Sequence, residues 1–158
     1  MDPFLNALNE MLTTTYRSIC KVEEIMLQQL SDNKLSISEM HMLESIGKHG
    51  SAVTATDIAQ DLDITPPSVT AMLKKLEKKG FITKDRSGED ARRVQIVLTH
   101  EGRRAEIAHR YFHRKMVRSI TKDLNQTERD AILSGLQKMN SFLQMGLDEF
   151  ARGKDELQ

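Results

Sequence analysis

A chain of 158 residues is long enough for one domain or for two small units that share a core. Its 23 Lys and Arg residues balance its 23 Asp and Glu residues, and no apolar run is long enough to cross a bilayer. The first residues lack the basic and apolar segments of a secretory signal, and the single cysteine, Cys20, excludes an internal disulfide, so we expect a cytoplasmic protein that contacts no membrane and depends on packing for its fold.

Hydrophobic spacing predicts two helices in the N-terminal third of the chain. The first carries an apolar stripe, and the polar segment 31–34 ends it. The second begins near Ser36, where Glu39 three residues later indicates a capping box, and the segment from Gly47 to Gly50 is predicted to end it. The stripe of the first helix consists of Leu5, Leu8, Leu12, Ile19, Val22 and Met26.

Two shorter helices follow, joined by a tight turn. Thr54 marks the start of the third helix, and Asp63 suits the turn because aspartate tolerates unusual backbone angles. Thr65 is predicted to cap the fourth helix, and Pro66 can open it because the first helical position needs no donor. Gly80 is a natural stop for this helix.

The pattern then changes period. Segments 81–83 and 94–98 indicate the two strands of a β-hairpin with a charged tip. Thr99 caps a long fifth helix that reaches about Thr121, and Asn125 opens a sixth. The sequence therefore predicts a mainly α fold with one small hairpin.

Two short helices joined by a tight turn and followed by a charged hairpin form a winged helix-turn-helix pattern, whose second helix fits the major groove of DNA. Ala71 can meet a thymine methyl group, and short polar or basic side chains can reach base edges and phosphates. Between Lys74 and Arg118 there are 14 Lys and Arg residues against 6 Asp and Glu residues, so this region can attract phosphate. A generic helical hairpin with solvated lysines is the alternative. The candidate DNA contacts are Thr54, Thr65, Pro67, Ser68, Thr70, Ala71, Lys74, Lys75, Arg86, Arg92 and Arg93.

The hairpin also resembles the wing signature of the multiple-antibiotic-resistance regulator (MarR) family. The matching motif is Asp90-x-Arg92-x-x-x-Ile96-x-Leu98-Thr99-x-x-Gly102. The segment before it, 76–82, resembles that family's passage from recognition helix to wing, and the likeness covers nearly the whole chain. It implies a triangular homodimer that binds a pseudo-palindromic operator, with Arg92 in the minor groove and Asp90 holding the wing in shape.

The terminal helices give a separate reason to expect a dimer. Their apolar stripes lie at opposite ends of the sequence, and burial between two copies would satisfy both; packing within one chain is the alternative. We therefore predict a helical dimerisation domain from 1–34 and 104–152, a DNA-binding domain at 35–103 and a frayed tail at 153–158.

One candidate effector is a metal ion. His109 and His113 project from one face of the fifth helix, and imidazoles with a carboxylate suit Zn²⁺. The set resembles the ligand pattern of zinc-responsive MarR-family repressors, and a polar junction of hydrogen-bonded histidines is the alternative. The candidate ligands are Glu24, His41, His109 and His113.

A closer likeness favours an acyl-chain effector. Segments 22–25, 38–42, 46–48 and 109–117 resemble the fatty-acid-synthesis repressor (FabT) branch of the same family, in which the same histidine pair occurs. This branch implies repression of lipid-synthesis genes, with long-chain acyl-acyl-carrier protein as corepressor.

An acyl chain needs an apolar tunnel, and an acidic carrier protein needs a basic surface. Core packing and a solvated helix face are the respective alternatives. The candidate tunnel residues are Met26, Met40, Met42, Leu43 and Phe112. The candidate carrier-protein contacts are Arg103, Arg104, Arg110 and Arg114.

No motif favours an enzyme. The chain has no Gly-rich phosphate loop, no nucleophile elbow and no framed pair of carboxylates. We therefore expect a transcription regulator without a cofactor other than its effector. A small phenolic or drug-like molecule is a third candidate for that effector.

Overall fold

The computed structural model describes residues 2–30, 35–50, 53–85 and 94–155. Within these ranges the chain forms six helices and one two-stranded sheet, which confirms the predicted mainly α fold. The elements are α1 (Pro3–Leu30), α2 (Ile37–His49), α3 (Ala55–Leu62), α4 (Pro66–Lys78), β1 (Ile82–Asp85), β2 (Gln95–Leu98), α5 (His100–Thr121) and α6 (Gln126–Asp155).

The chain forms two compact units, Met1–Phe112 and His113–Gln158, and α5 contributes residues to both. The dimerisation and DNA-binding domains predicted from the sequence divide the chain by role instead of compactness. That division stays a prediction.

Four helix starts follow the predicted caps, at Ser36, Thr54, Thr99 and Asn125. Ser36 Oγ accepts a hydrogen bond from Glu39 N at 3.2 Å, and the Glu39 carboxylate accepts one from Ser36 N at 2.9 Å. Asn125 and Glu128 form the same reciprocal pair before α6, at 3.0 and 2.8 Å. These bonds satisfy backbone donors that a helix start would otherwise leave open.

One helix end lies within the predicted segment, and another extends beyond its predicted end. Helix α2 continues through Gly47 to His49, and Gly50 follows it with a φ of 82°. Gly47 has a packing role, because a Cβ there would lie 2.8 Å from Cγ of Glu106 on α5. Helix α6 continues to Asp155, past the predicted start of the tail.

The turn between α3 and α4 has the predicted left-handed residue. Asp63 has φ 51° and ψ 48°, and its N–H donates back into α3. Pro66 opens α4 as predicted, but the Thr65 side chain makes no cap. The Thr65 hydroxyl shares a hydrogen bond with Ser68 Oγ at 2.9 Å instead.

The hairpin pairs β1 and β2 antiparallel, with Ile82 opposite Leu98. Ile96 also donates its N–H to the carbonyl of Val53 at 2.9 Å, which adds a bridge to the segment before α3. The sheet is thereby tied to the helix-turn-helix.

The hydrophobic core of the first unit lies mainly between α2, α3, α4 and the hairpin. Helices α1 and α5 each add one residue to it. The buried face of α4 packs against this core. Its buried members are Leu27, Leu35, Met40, Met42, Leu43, Ile46, Val53, Ile58, Ala59, Val69, Leu73, Leu76, Phe81, Ile82, Ile96 and Ala105.

Large apolar side chains remain exposed on α1, α5 and α6. Despite this, no helix of the described part is long and apolar enough to span a membrane. In the first unit they are Phe4, Leu5, Leu8, Met11, Leu12, Tyr16, Val22, Ile25, Ile107 and Tyr111. In the second unit they are Val117, Ile120, Ile132, Leu133, Leu136, Phe142, Leu143, Met145 and Leu147.

Candidate nucleic-acid interface

Helix α4 has one buried face and one polar face. Val69 and Leu76 are fully buried, and Leu73 is 4% exposed. The helix therefore has the orientation that a recognition helix needs, while the individual DNA contacts stay predictions. All of the residues predicted to point outward are exposed, namely Pro67, Ser68, Thr70, Ala71, Lys74 and Lys75.

The hydroxyl groups of α4 bond first to their own helix. Thr70 Oγ1 donates to the carbonyl of Pro66 at 3.0 Å, which leaves its oxygen as an acceptor toward solvent. Thr65 and Ser68 share one hydrogen bond between their hydroxyls, so that bond uses only one of the two protons. These side chains are held in position and still have bonding capacity for DNA.

Thr54 is less available for hydrogen bonds to DNA than the α4 residues are. It is half-buried, and its hydroxyl donates to Asp57 Oδ2 at 2.6 Å and accepts from Asp57 N at 3.3 Å. Its hydroxyl therefore serves the start of α3.

Positive charge for phosphate lies in the C-terminal half of α4. Lys74, Lys75 and Lys78 are exposed, and none of them forms an ion pair with another described residue. Lys84 on β1 is bound to Glu77 and is less available. The contrast favours Lys74 and Lys75 as the phosphate contacts of this helix.

A buried ion pair that the sequence did not predict fixes the end of α4 to the start of α2. Lys79 Nζ lies 2.9 Å from Oε1 and 2.7 Å from Oε2 of Glu39, which is 5% exposed. Burial raises the pKa of Glu39, but the hydrogen bonds from Lys79 and Ser36 outweigh it and hold that pKa below its usual value. The sequence marked Glu39 only as a cap, and nothing local pointed to Lys79.

Strand β1 ends at Asp85, which pairs with Gln95 on β2. The predicted tip contacts and the residue predicted to shape the wing lie outside the described residues, so their roles stay predictions. These residues are Arg86, Asp90, Arg92 and Arg93.

The candidate tunnel residues lie in or beside the core. Met40, Met42 and Leu43 are fully buried, Met26 packs against the same core, and Phe112 is half-buried. Core packing accounts for the three buried residues in this structure. A tunnel through them requires the core to open, and it stays a prediction.

The four candidate carrier-protein contacts are all exposed on α5. Arg103 and Arg110 lie 3.6 and 3.2 Å from the buried carboxylate of Glu106. Arg104 pairs with another glutamate of the same helix at 3.3 Å, and Arg114 follows one turn after Arg110. This face is accessible, and part of its charge is neutralised within the helix.

The structure brings some of the candidate metal ligands together. His109 on α5 is 1% exposed, and its ring lies 5.9 Å from that of His41. Its Nε2 lies 3.6 Å from Glu23 Oε1, and its Nδ1 lies 3.5 Å from Glu44 Oε2. Carboxylate and imidazole are ligand types that zinc accepts.

Glu24 is not part of this group, which corrects the predicted ligand set. Its side chain is 53% exposed and pairs with a lysine one turn earlier on α1. Glu23 occupies the buried face instead, four residues before the buried Leu27. His113 lies one turn after His109 along α5.

Comparison with known proteins adds an independent finding. Residues 35–94 match the MarR family. The crystal structure of Streptococcus pneumoniae FabT in complex with DNA is 35% identical with a TM-score of 0.78, and the match covers 89% of this chain and 97% of that one. The S. aureus MepR–DNA complex is 26% identical with a TM-score of 0.63, covering 83% and 95%. The HTH-type transcriptional repressor MdtR of Bacillus subtilis is 30% identical over 82 residues, so this chain matches about half of its length, 52%.

The helix-turn-helix, the hairpin and these likenesses define a DNA-binding transcription regulator and not an enzyme. The chain belongs to the MarR family. The resemblance inferred from the wing motif is thereby confirmed.

Proposed function

We propose that the protein is a homodimeric repressor that binds a pseudo-palindromic operator, with α4 of each copy in the major groove. The observation that carries this proposal is the exposed row of short polar and basic side chains on α4, opposite a buried face. Such a face can contact base edges and phosphates at the same time.

The apolar side chains left exposed by a single chain support the dimer. Leu8 and Leu12 on α1 are 43% and 42% exposed, and Leu136 and Leu143 on α6 are 50% and 53% exposed. Apolar surface on this scale is typical of protein interfaces. A two-fold pair would present two recognition helices to half-sites about one turn of DNA apart.

The finer part of the proposal is control of fatty-acid synthesis genes with acyl-acyl-carrier protein as corepressor. It is supported by the likeness of segments 22–25, 38–42 and 109–117 to the FabT branch and by the 35% identity to S. pneumoniae FabT. The exposed arginines of α5 supply the positive charge that an acidic carrier protein can contact.

Titration of fluorescent duplexes, selected by the wild-type protein from a random pool, tests DNA reading. Lys75→Ala should lower the slope of log affinity against log salt by about one, because one phosphate contact is lost. Lys138→Ala, at an exposed lysine of α6, is the matched control and should keep the wild-type slope. If the wild-type protein bound no duplex at low ionic strength, the proposal would be overturned.

The corepressor is tested by adding purified carrier protein to the same titration. Palmitoyl-loaded carrier protein should tighten operator binding, and the unacylated carrier at equal concentration should not. Equal effects of the two forms would remove the fatty-acid part of the proposal and leave the DNA-binding part intact.

Zn²⁺ is a second candidate effector, favoured by the contacts of His109 with Glu23 and Glu44. Equilibrium dialysis against Zn²⁺ should show a tight site in the wild type that His109→Ala loses. His100→Ala is the matched control, because that side chain is 89% exposed. Equally weak binding by all three proteins would contradict a zinc site.

A further inference from the structure

The recognition helix ends in a tightly bonded turn. Gly80 N donates to the carbonyl of Glu77 at 3.0 Å, and Phe81 N donates to the carbonyl of Leu76 at 3.0 Å. Gly80 has a φ of 80°, so these bonds form a Schellman motif. The motif fixes the direction of the Gly80 carbonyl, because that carbonyl shares a peptide plane with the Phe81 N–H, and the Phe81 carbonyl is the next one along the chain.

Thr99 binds both of those carbonyls from the start of α5. Its N–H donates to the Phe81 carbonyl at 3.0 Å, and its hydroxyl donates to the Gly80 carbonyl at 2.7 Å. The same hydroxyl oxygen accepts from Gly102 N at 3.1 Å, which caps α5. A single side chain thus connects the turn that ends α4 to the first turn of α5.

Gly102 brings the first turn of α5 into backbone contact with the turn that follows α4. A Cβ on Gly102 would lie 2.0 Å from the carbonyl oxygen of Phe81. Because that oxygen is backbone, no rotamer change can relieve the overlap. The start of α5 is therefore held against the turn after α4 without a flexible side chain between them.

We propose that Thr99 and Gly102 are positioning residues for DNA reading, which fix α4 against α5 and thereby set the half-site spacing that the dimer accepts. The proposal rests on the proposed dimer, since α5 carries exposed apolar residues such as Ile107 and Tyr111. Helix α4 has 13 residues. It is thus about 20 Å long, so a tilt of about 10° moves its far end by about 3 Å, close to the step of one base pair.

The test measures affinity as a function of half-site spacing. Inverted repeats selected by the wild-type protein are rebuilt with the half-sites moved by one or two base pairs in each direction, and all are titrated at one salt concentration. Thr99→Val should lose about tenfold in affinity at the preferred spacing and should show a broader spacing preference. Thr99→Ser keeps the hydroxyl and should retain the wild-type preference.

Thr127→Val on α6 is the matched control, because Thr127 is exposed. Gly102→Ala should broaden the spacing preference like Thr99→Val, and if it fails to fold, the two Thr99 variants decide the question. An unchanged preference in Thr99→Val, or an even loss across all spacings, would overturn this role. A wild-type protein that sediments as a monomer, or binds all spacings equally, would instead contradict the proposed dimeric function.

Discussion

Replacement of Lys79 by methionine tests how the recognition helix is held in its domain. Lys79 Nζ contacts both carboxylate oxygens of Glu39, at 2.9 and 2.7 Å. The Glu39 side chain is 6% exposed and that of Lys79 is 31% exposed. Methionine keeps most of the aliphatic stem and removes the charge, so the buried carboxylate loses its cation.

We expect this change to lower the free energy of unfolding by about 2–3 kcal/mol at neutral pH. Removal of one partner from a fully buried ion pair costs about 3–5 kcal/mol. Water screens the exposed part of Lys79 and reduces that figure. Lys78→Met is the matched control, and at an exposed lysine it should change stability by no more than about 0.5 kcal/mol.

The difference in free energy of unfolding between the wild type and Lys79→Met should also depend on pH. The pKa of Glu39 is lowered in the folded protein, because hydrogen bonds from Lys79 and Ser36 outweigh the effect of burial. Such a carboxyl group stabilises the fold above its unfolded pKa, about 4.3 for glutamate. That stabilisation is lost as the pH falls through the lowered pKa of the folded protein. The difference in free energy of unfolding between the wild type and Lys79→Met should therefore become smaller in acid.

Urea denaturation at one fixed protein concentration, followed by circular dichroism at neutral and acidic pH, measures both effects. Glu39→Gln and the double variant complete a cycle in which the double variant should be less destabilised than the sum of the single ones. Strictly additive losses, or a difference that is the same at every pH, would refute the reasoning.

The remaining predictions concern packing, the wing and the interface. Gly47→Ala should lower the free energy of unfolding, measured by urea denaturation, by about 1–2 kcal/mol because its Cβ would lie 2.8 Å from Glu106 Cγ. Gly135→Ala has nothing within 4 Å of the added Cβ and should raise the free energy of unfolding by about 1 kcal/mol. Similar effects at both sites would contradict the packing argument. Arg92→Ala should weaken operator binding and leave the dimer intact, and an unchanged affinity in a gel-shift titration would exclude the wing role. Leu136→Glu should sediment as a monomer at concentrations where the wild type is a dimer, because the charge would be buried; a dimer of wild-type strength would remove this residue from the interface.

The helix starts and the polar face of α4 could be predicted because their signals are local. Ser36 and Glu39 are three residues apart, so their capping box is visible in the sequence. The positive φ of Asp63 likewise follows from a turn residue between two apolar patterns. The outward face of α4 follows from the helical period alone.

The polar contacts between distant segments could not be predicted in this way. A charged residue is normally solvated, so the apolar stripe of α1 gave no reason to place Glu23 on a buried face beside His109. The packing role of Gly47 was missed because it depends on Glu106, which lies far along the chain. The partner of Glu39 was missed for the same reason, since 40 residues separate it from Lys79.

The order of synthesis gives the apolar surface of α1 a biological consequence. Helix α1 is synthesised before α6, because it precedes α6 in the chain. Phe4, Met11 and Tyr16 are 67%, 65% and 71% exposed on a single chain, so in the proposed dimer only a second copy would cover this part of α1. Fragments from a premature stop codon would expose this surface permanently and be removed by chaperones and proteases. Such alleles should therefore behave as recessive losses and not as dominant inhibitors of the intact regulator.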